Sequence, residues 1–308
     1  MSTIKTIVNS SAVLSFLQKR LDSSIQGINF IKGGEQAQAF SFVSKQKDLI
    51  IRINRKLYSF DKDNYAFKHF GSKNLPIPEI LDIGKFDRKH YYAISSFAPG
   101  QTLDTVDKET KLQLLPQILS IHDEIRNTRI EKGNFGDWDK NGIARFKSWK
   151  KFISGKRDSV YKNWQKLYNT TFLEKEPVEK ITETIEKLLD FLPEESYLIH
   201  GDYGGNNMTT TGGKITGVLD WGESKYGDFI FDVAWIDFFS GGELPYANLF
   251  KKHYEEIGLR VGNFNERLLC YKMHLGLGSI GFFALSGQKD VYEWTKKGLL
   301  KLMEESKI

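Results

Sequence analysis

Tyr197-Leu198-Ile199-His200-Gly201-Asp202-Tyr203-Gly204-Gly205-Asn206-Asn207, followed by Val218-Leu219-Asp220-Trp221, is the stretch on which the reading of this chain turns. Tyr197, Leu198 and Ile199 form a short apolar run that delivers His200 and Asp202 to a loop. Gly204 and Gly205 let the chain turn sharply there, because glycine carries no Cβ to clash at positive φ. Met208 to Thr211 and Lys214 to Leu219 are β-prone and flank Gly212-Gly213, the pattern of a hairpin. The fold-back predicts that Asn207, at the entry, and Asp220, at the exit, lie at one end of the hairpin. With Asp202 nearby, hard oxygen donors converge, a set that suits Mg²⁺ accompanied by phosphates.

Working toward the N-terminus, Ser11 to about Ile25 has Val13, Leu14, Leu17 and Leu21 at helical spacing, with serine available as a cap. Residues 27–32 and 40–43 read as strands joined through Gly33-Gly34-Glu35-Gln36. A glycine turn between strands can cover phosphates with backbone N–H groups, and a plain hairpin fits the same residues. Leu49-Ile50-Ile51-Arg52-Ile53 is a third strand interrupted by a cation. Arg52 must face solvent or meet an anion, since a buried unpaired charge is costly. Asp61 to Phe70 reads as a helix. After it come Leu75-Pro76-Ile77-Pro78-Glu79, Leu81-Asp82-Ile83-Gly84 and the strand Tyr91 to Phe97, and then Ala98-Pro99-Gly100.

Toward the C-terminus the pattern turns helical. Leu112, Leu115, Ile118 and Ile121 mark a helix from Glu109 to about Arg126, followed by a loop holding Gly133, Gly136, Trp138 and Gly142. Residues 144–192 read as two or three charged helices, and 245–306 as further helices. Tyr226 to Ile236 is apolar on all sides, so a helix there must be buried. Asp232 inside it then needs hydrogen-bond donors, and the backbone N–H groups of the 200–207 loop are the expected ones.

The chain has 308 residues, 40% hydrophobic and 27% charged, the make-up of a globular protein with one large or two modest lobes. No apolar run nears the roughly 20 residues of a membrane span, and Met1 to Lys5 lacks a secretory h-region. Cys270 is the single cysteine, which excludes an intrachain disulfide and points to a reducing cytoplasm. The net charge is +5 but its basic residues are scattered, which argues against nucleic-acid or membrane binding. Between Ser196 and Glu243 seven acids face only Lys214 and Lys225, so this region is acidic inside a basic chain.

The two central motifs together resemble the catalytic and metal-binding loops of the aminoglycoside phosphotransferases, a kinase-like family. Residues 75–103 resemble the last strands and hinge of that family, in wording nearest to its hygromycin B branch, and the likeness extends from about residue 30 to 300. The resemblance implies an α+β, bilobal, protein-kinase-like fold: a small antiparallel-sheet lobe over 1–97 that binds nucleotide, and a mainly helical lobe over 98–308 for catalysis and substrate. It implies ATP- and Mg²⁺-dependent phosphorylation of an aminoglycoside hydroxyl, hence antibiotic resistance, by a cytoplasmic monomer. Asp202 is then the catalytic residue, and Asn207 and Asp220 hold the metal. Arg52, Gly33, Gly34, Ser96 and Ala98 hold ATP, with Arg52 in place of the commoner lysine. The family's helix glutamate, which orients that cation, falls near Tyr65, and Asp63 is the nearest acid on a compatible face. A cationic substrate would meet Glu223, Asp237 and Glu243, with Trp235 stacking on a sugar. Kinases of macrolides, choline or homoserine share the nucleotide residues, and a nucleotide-binding scaffold without turnover is the alternative of a different class.

Overall fold

The computed structural model describes residues 6–34, 36–130 and 133–306, apart from the side chains of 156–163; Glu35 of the glycine turn lies outside them. In chain order the elements are α1 (Ser10–Arg20), β1 (Asn29–Ile31), β2 (Gln38–Ser44), β3 (Lys47–Asn54), α2 (Tyr58–Phe70), β4 (Ile80–Lys85), β5 (Tyr91–Ser96), β6 (Gln101–Thr102) and α3 (Lys108–Asn127). There follow β7 (Phe135–Trp138), β8 (Ala144–Phe146), α4 (Trp149–Thr170), α5 (Lys175–Leu188), β9 (Tyr197–Ile199), β10 (Met208–Thr211), β11 (Lys214–Val218) and β12 (Lys225–Gly227). The chain closes with α6 (Ile230–Phe239), α7 (Tyr246–Glu256), α8 (Phe264–Ser286) and α9 (Lys289–Ser306). Two compact units result. The first takes residues 1–121, 139–142 and 206–223; the second takes 122–138, 143–205 and 224–308.

The first unit contains an antiparallel sheet of order β1-β2-β3-β5-β4 and a small sheet of order β11-β10-β6. Strand alternation builds its core: Phe40 and Phe42 on β2, and Leu49, Ile51 and Ile53 on β3, point to one face with Val13 and Leu17 of α1. The first helix stops at Arg20, five residues short of the expected Ile25. There the Asp22 side chain takes the Ser24 amide at 2.9 Å, a local bond that competes with the helix. Asn9 caps the start by accepting the Ser11 amide at 2.8 Å. Gly100 sits at φ +110°, where a Cβ would come 2.1 Å from the Thr210 carbonyl oxygen. Glycine is thus required where β6 runs beside β10.

The second unit pairs a sheet of order β8-β7-β12-β9 with helices α4 to α9. Residues 135–138, expected as loop, form a strand because their partner β12 lies some ninety residues on, beyond the reach of local pattern. Tyr226, expected in the buried helix, belongs to β12. Helix α6 starts only at Ile230, whose amide the Asp228 side chain accepts at 3.1 Å. By length and composition α8 could cross a membrane, but half of that span is buried in the unit. Its Arg267 and Lys272 pair with Asp228 and Asp237, as the cations of a core helix do.

Candidate active site

A cavity of about 230 Å³ lies wholly within the first unit. Ile31, Ala39, Ile50, Ile77 and Leu219 make its apolar walls, and Ser96 and Ala98 also line it. Arg52, Asp63 and Asp220 make its charged end. Arg52 Nη2 donates to Asp63 Oδ2 at 2.6 Å, and the other Asp63 oxygen accepts the Trp221 amide at 2.8 Å. One carboxylate on α2 therefore holds both the strand cation and the residue after Asp220. Burial draws the Arg52 guanidinium down, but Asp63 and Asp220 more than offset it, so its pKa stands above the ordinary value. Gly33 and Gly34 occupy the turn between β1 and β2, at φ +138° and +66°, outside the cavity lining.

Asn207 and Asp220 meet at one end of the β10–β11 hairpin. Met208 opposes Val218, and the Leu219 amide donates to the Asn207 carbonyl at 2.7 Å. Asp220 adopts φ +57°, the left-handed region that aspartate enters more readily than most side chains. Burial, then Asp63 and Glu223, push its carboxyl up, while Arg52 pulls it down. A carboxylate that reaches solvent, with two acidic neighbours and with Asn207 at the same end of the hairpin, is a donor set that a hard divalent cation fits. No group of three or more His, Cys, Asp or Glu side chains placed to hold a metal occurs among the described residues, so such a cation needs oxygens from a bound ligand.

In the second unit β9 delivers His200 and Asp202 to their loop. Asp232 on α6 is 1% exposed and accepts the amides of His200 and Gly201, each at 2.8 Å. These are the loop donors expected for it. Burial raises the Asp232 carboxyl to about 7, against the pull of the Gly201 and His200 amides and of Lys225. Gly201 takes φ +80°, and the Gly204 amide closes back on the Asp202 carbonyl at 2.9 Å. Behind this loop Asp228 receives Arg267 through both oxygens, and Tyr271 donates to it at 2.6 Å. The Trp149 indole donates to Tyr271 in turn, at 2.8 Å. The sequence displays the Gly227-Asp228 pair but not its partner Arg267, nearly forty residues on.

The acids expected to face a substrate differ in setting. Glu223, in the first unit, and Glu243, in the second, are exposed. Asp237 is engaged inside the second unit: it accepts Lys272 Nζ at 2.5 Å and the Ala247 amide at 2.7 Å, which fixes the start of α7. Trp235, also on α6, is half-buried with its ring 4.6 Å from that of Phe239.

Residues 27–260 match the model of a phosphotransferase enzyme family, APH. Hygromycin-B 4-O-kinase of Escherichia coli is 29% identical over 304 residues, spanning 95% of this chain and 84% of that protein. A thermostable mutant of aminoglycoside phosphotransferase APH(4)-Ia, solved as a ternary complex with AMP-PNP and hygromycin B, superposes with a TM-score of 0.85. It is 27% identical, and the match covers 96% of this chain and 99% of that one. Aminoglycoside 2'-phosphotransferase-IIIa, in its GDP complex, has the same fold at 13% identity, with a TM-score of 0.68 over 97% of this chain and all of that one.

Proposed function

The chain belongs to the APH phosphotransferase enzyme family, and we propose that it transfers the γ-phosphoryl group of ATP to a hydroxyl of an aminoglycoside, hygromycin B first among them. The modified antibiotic would no longer act, which makes the activity one of resistance. The observation that carries this reading is the charged end of the cavity: Arg52, braced by Asp63, faces Asp220 at the mouth of an apolar slot.

The apolar walls take the adenine, with backbone groups of Ser96 and Ala98 along its edge. Arg52 braces the non-transferred phosphates, and the Gly33-Gly34 turn covers them. Asp63 keeps Arg52 extended and the residues around Asp220 in register. Asn207 and Asp220 would hold Mg²⁺, which when bound neutralises phosphate charge. Asp202 aligns the acceptor hydroxyl and takes its proton late. Phosphoryl transfer depends mostly on alignment and charge neutralisation, so positioning is the larger part of what Asp202 supplies. Asp232 fixes the backbone on which Asp202 rides. Glu223 and Glu243 attract the cationic antibiotic, Trp235 offers a ring to a sugar face, and Asp237 contributes through the placement of α7. In this division of labour residues 1–97, joined by 98–102 and the 206–223 segment, serve the nucleotide, and the rest of 98–308 serves catalysis and the acceptor. The single buried cysteine and the scattered basic residues support a monomer in a reducing cytoplasm, with neither a nucleic-acid nor a membrane partner.

The test is ATP consumption against hygromycin B, other aminoglycosides, a macrolide, choline and homoserine, with and without Mg²⁺. Turnover on an aminoglycoside is expected, and Asp202→Asn should lower kcat by on the order of 10²-fold while leaving nucleotide binding in place. Turnover on choline or homoserine alone would replace the antibiotic reading with a neutral-alcohol kinase. ATP binding with no acceptor consumed would leave a scaffold.

A further inference from the structure

The pairing of β10 with β11 slips by one residue. Thr209 faces Gly217 and Thr210 faces Ile215, so Thr216 is an extra residue on β11. A bulge of this kind re-aims its side chain. Thr216 turns its hydroxyl onto the Pro99 carbonyl, donating at 2.5 Å, and its Oγ1 lies 3.0 Å from Thr209 Oγ1. Gly217 follows, buried inside the strand, where a glycine marks the close approach of another segment. Its φ is not positive, so space and not backbone conformation calls for glycine. A Cβ built there would stand 2.6 Å from Ala98 Cβ, 2.8 Å from Thr209 Oγ1 and 3.3 Å from Leu219 Cδ2. Ala98, Thr209 and Leu219 all line the cavity.

We propose that Gly217 is a positioning residue for the nucleotide: by carrying no side chain it lets residues 98 and 99 lie against β11, and this close approach sets the wall of the slot on which the base packs. The inference rests on the reading that the cavity takes ATP. The segment after β5 is laid onto the hairpin residue by residue. Ala98 meets Gly217, the Pro99 carbonyl accepts Thr216, and Gly100 meets the Thr210 carbonyl oxygen. Gln101 and Thr102 then pair with Thr210 and Thr209. Just before them the Ser96 and Phe97 amides donate to the Glu79 and Asp48 carbonyls, at 2.9 and 3.2 Å. Ala98 is therefore the point where the lining passes from the larger sheet to the small one. The Val218 amide donates to the Pro76 carbonyl at 2.8 Å, beside Ile77 and Pro78 of the lining, so β11 holds a second stretch of wall as well. A side chain at 217 must disturb the slot whichever neighbour yields. Thr209 and Leu219 can turn only side chains that line it. Ala98 has no other rotamer to take, so its backbone must move.

Binding of AMP-PNP, measured by calorimetry, tests this apart from turnover. Gly217→Ala should weaken binding about tenfold, and should raise KM for ATP to the same extent while kcat and KM for hygromycin B stay unchanged. In an Ala98→Gly background, where the closest contact is gone, the same substitution should weaken AMP-PNP no more than about threefold. Thr216→Val adds no bulk and removes the bond to Pro99, and should weaken binding about threefold. A folded Gly217→Ala with wild-type affinity would overturn the proposal, as would an equal loss in the two backgrounds. Should Gly217→Ala not fold, Thr216→Val decides, and wild-type affinity in that variant would overturn the proposal. A wild type that binds AMP-PNP and phosphorylates nothing would remove the transferase reading and leave this one intact, whereas one that binds no AMP-PNP would overturn both.

Discussion

His122 should make this protein acid-labile by an amount that can be worked out. It sits on α3, 1% exposed, among the rings of Tyr203, Phe229, Phe250 and Tyr254, with ring centres 4.9 to 6.2 Å from its own. Nε2 lies 3.2 Å from the Phe229 carbonyl and Nδ1 lies 3.4 Å from the Tyr254 hydroxyl. That pair of contacts suits the neutral ring with its proton on Nε2. Burial lowers the imidazole from 6.5 to about 4. A base depressed on folding contributes stability that is fully present above 6.5 and is lost as pH falls toward 4, because the unfolded chain takes up the proton first. The full loss is about 3 kcal/mol, and about 2 kcal/mol of it falls between pH 7 and pH 5. Urea unfolding of wild type and His122→Phe at both pH values measures it as a difference of differences. Asp232 works in the opposite sense: its raised carboxyl favours the folded state below 3.8, and that advantage is lost as pH rises through about 7. It is present in both proteins and drops out of the comparison to the extent that the two sites act independently. If His122→Phe loses as much stability as wild type between pH 7 and pH 5, the argument fails.

Asp63→Ala leaves Arg52 buried without its carboxylate and the Trp221 amide without its acceptor, so a cost of about 3 kcal/mol in unfolding free energy is expected. It should also raise KM for ATP on the order of tenfold, and unchanged values of both would refute the bracing role. Gly100→Ala must hold φ +110° and push against the Thr210 carbonyl, and denaturation should report a loss of about 2 kcal/mol or more. Glu223→Gln should raise KM for hygromycin B, leave KM for ATP alone and flatten the salt dependence of kcat/KM, as expected for an exposed steering charge. Asp237→Asn should register first in thermal stability, because Lys272 and the Ala247 amide lose their partner; an effect on antibiotic KM with no change in Tm would contradict that placement.

What was legible in the sequence was whatever local chemistry writes locally. The glycines around Asp202, the hairpin that returns Asp220 to Asn207, and the alternating residues of β2 and β3 each show within about twenty positions. Asp232 could be read because an acid inside an all-apolar helix demands donors. The sequence narrows the partner of Arg52 to Asp63 without deciding it, since helix periodicity says which face a residue takes and not how far across a strand it reaches. Pairings at long range were hidden: β7 with β12, and Arg267 with Asp228, have no nearby signature. Lys225 looks in sequence like any solvated lysine, and only the strand register that turns it inward reveals its setting. Asp237 reads in sequence as an acid facing a cationic substrate, because its partners Lys272 and the Ala247 amide come ten or more residues later.

The joining of β6 to β10 has a consequence for synthesis of the chain. Thr102 pairs with Thr209, and the cavity-lining residues 218–221 come later still. When residue 121 has left the ribosome, every strand of the larger sheet exists, yet one wall of its slot and the carboxylate at its end have not been made. The apolar face left open must wait for roughly a hundred more residues, most of which build the other unit. Closing so long a loop costs little extra free energy but delays folding, and leaves exposed apolar surface in the meantime. A fragment ending after β6 or α3 is therefore expected to be sticky and unable to hold nucleotide, and the first contiguous piece able to complete the slot ends near residue 223.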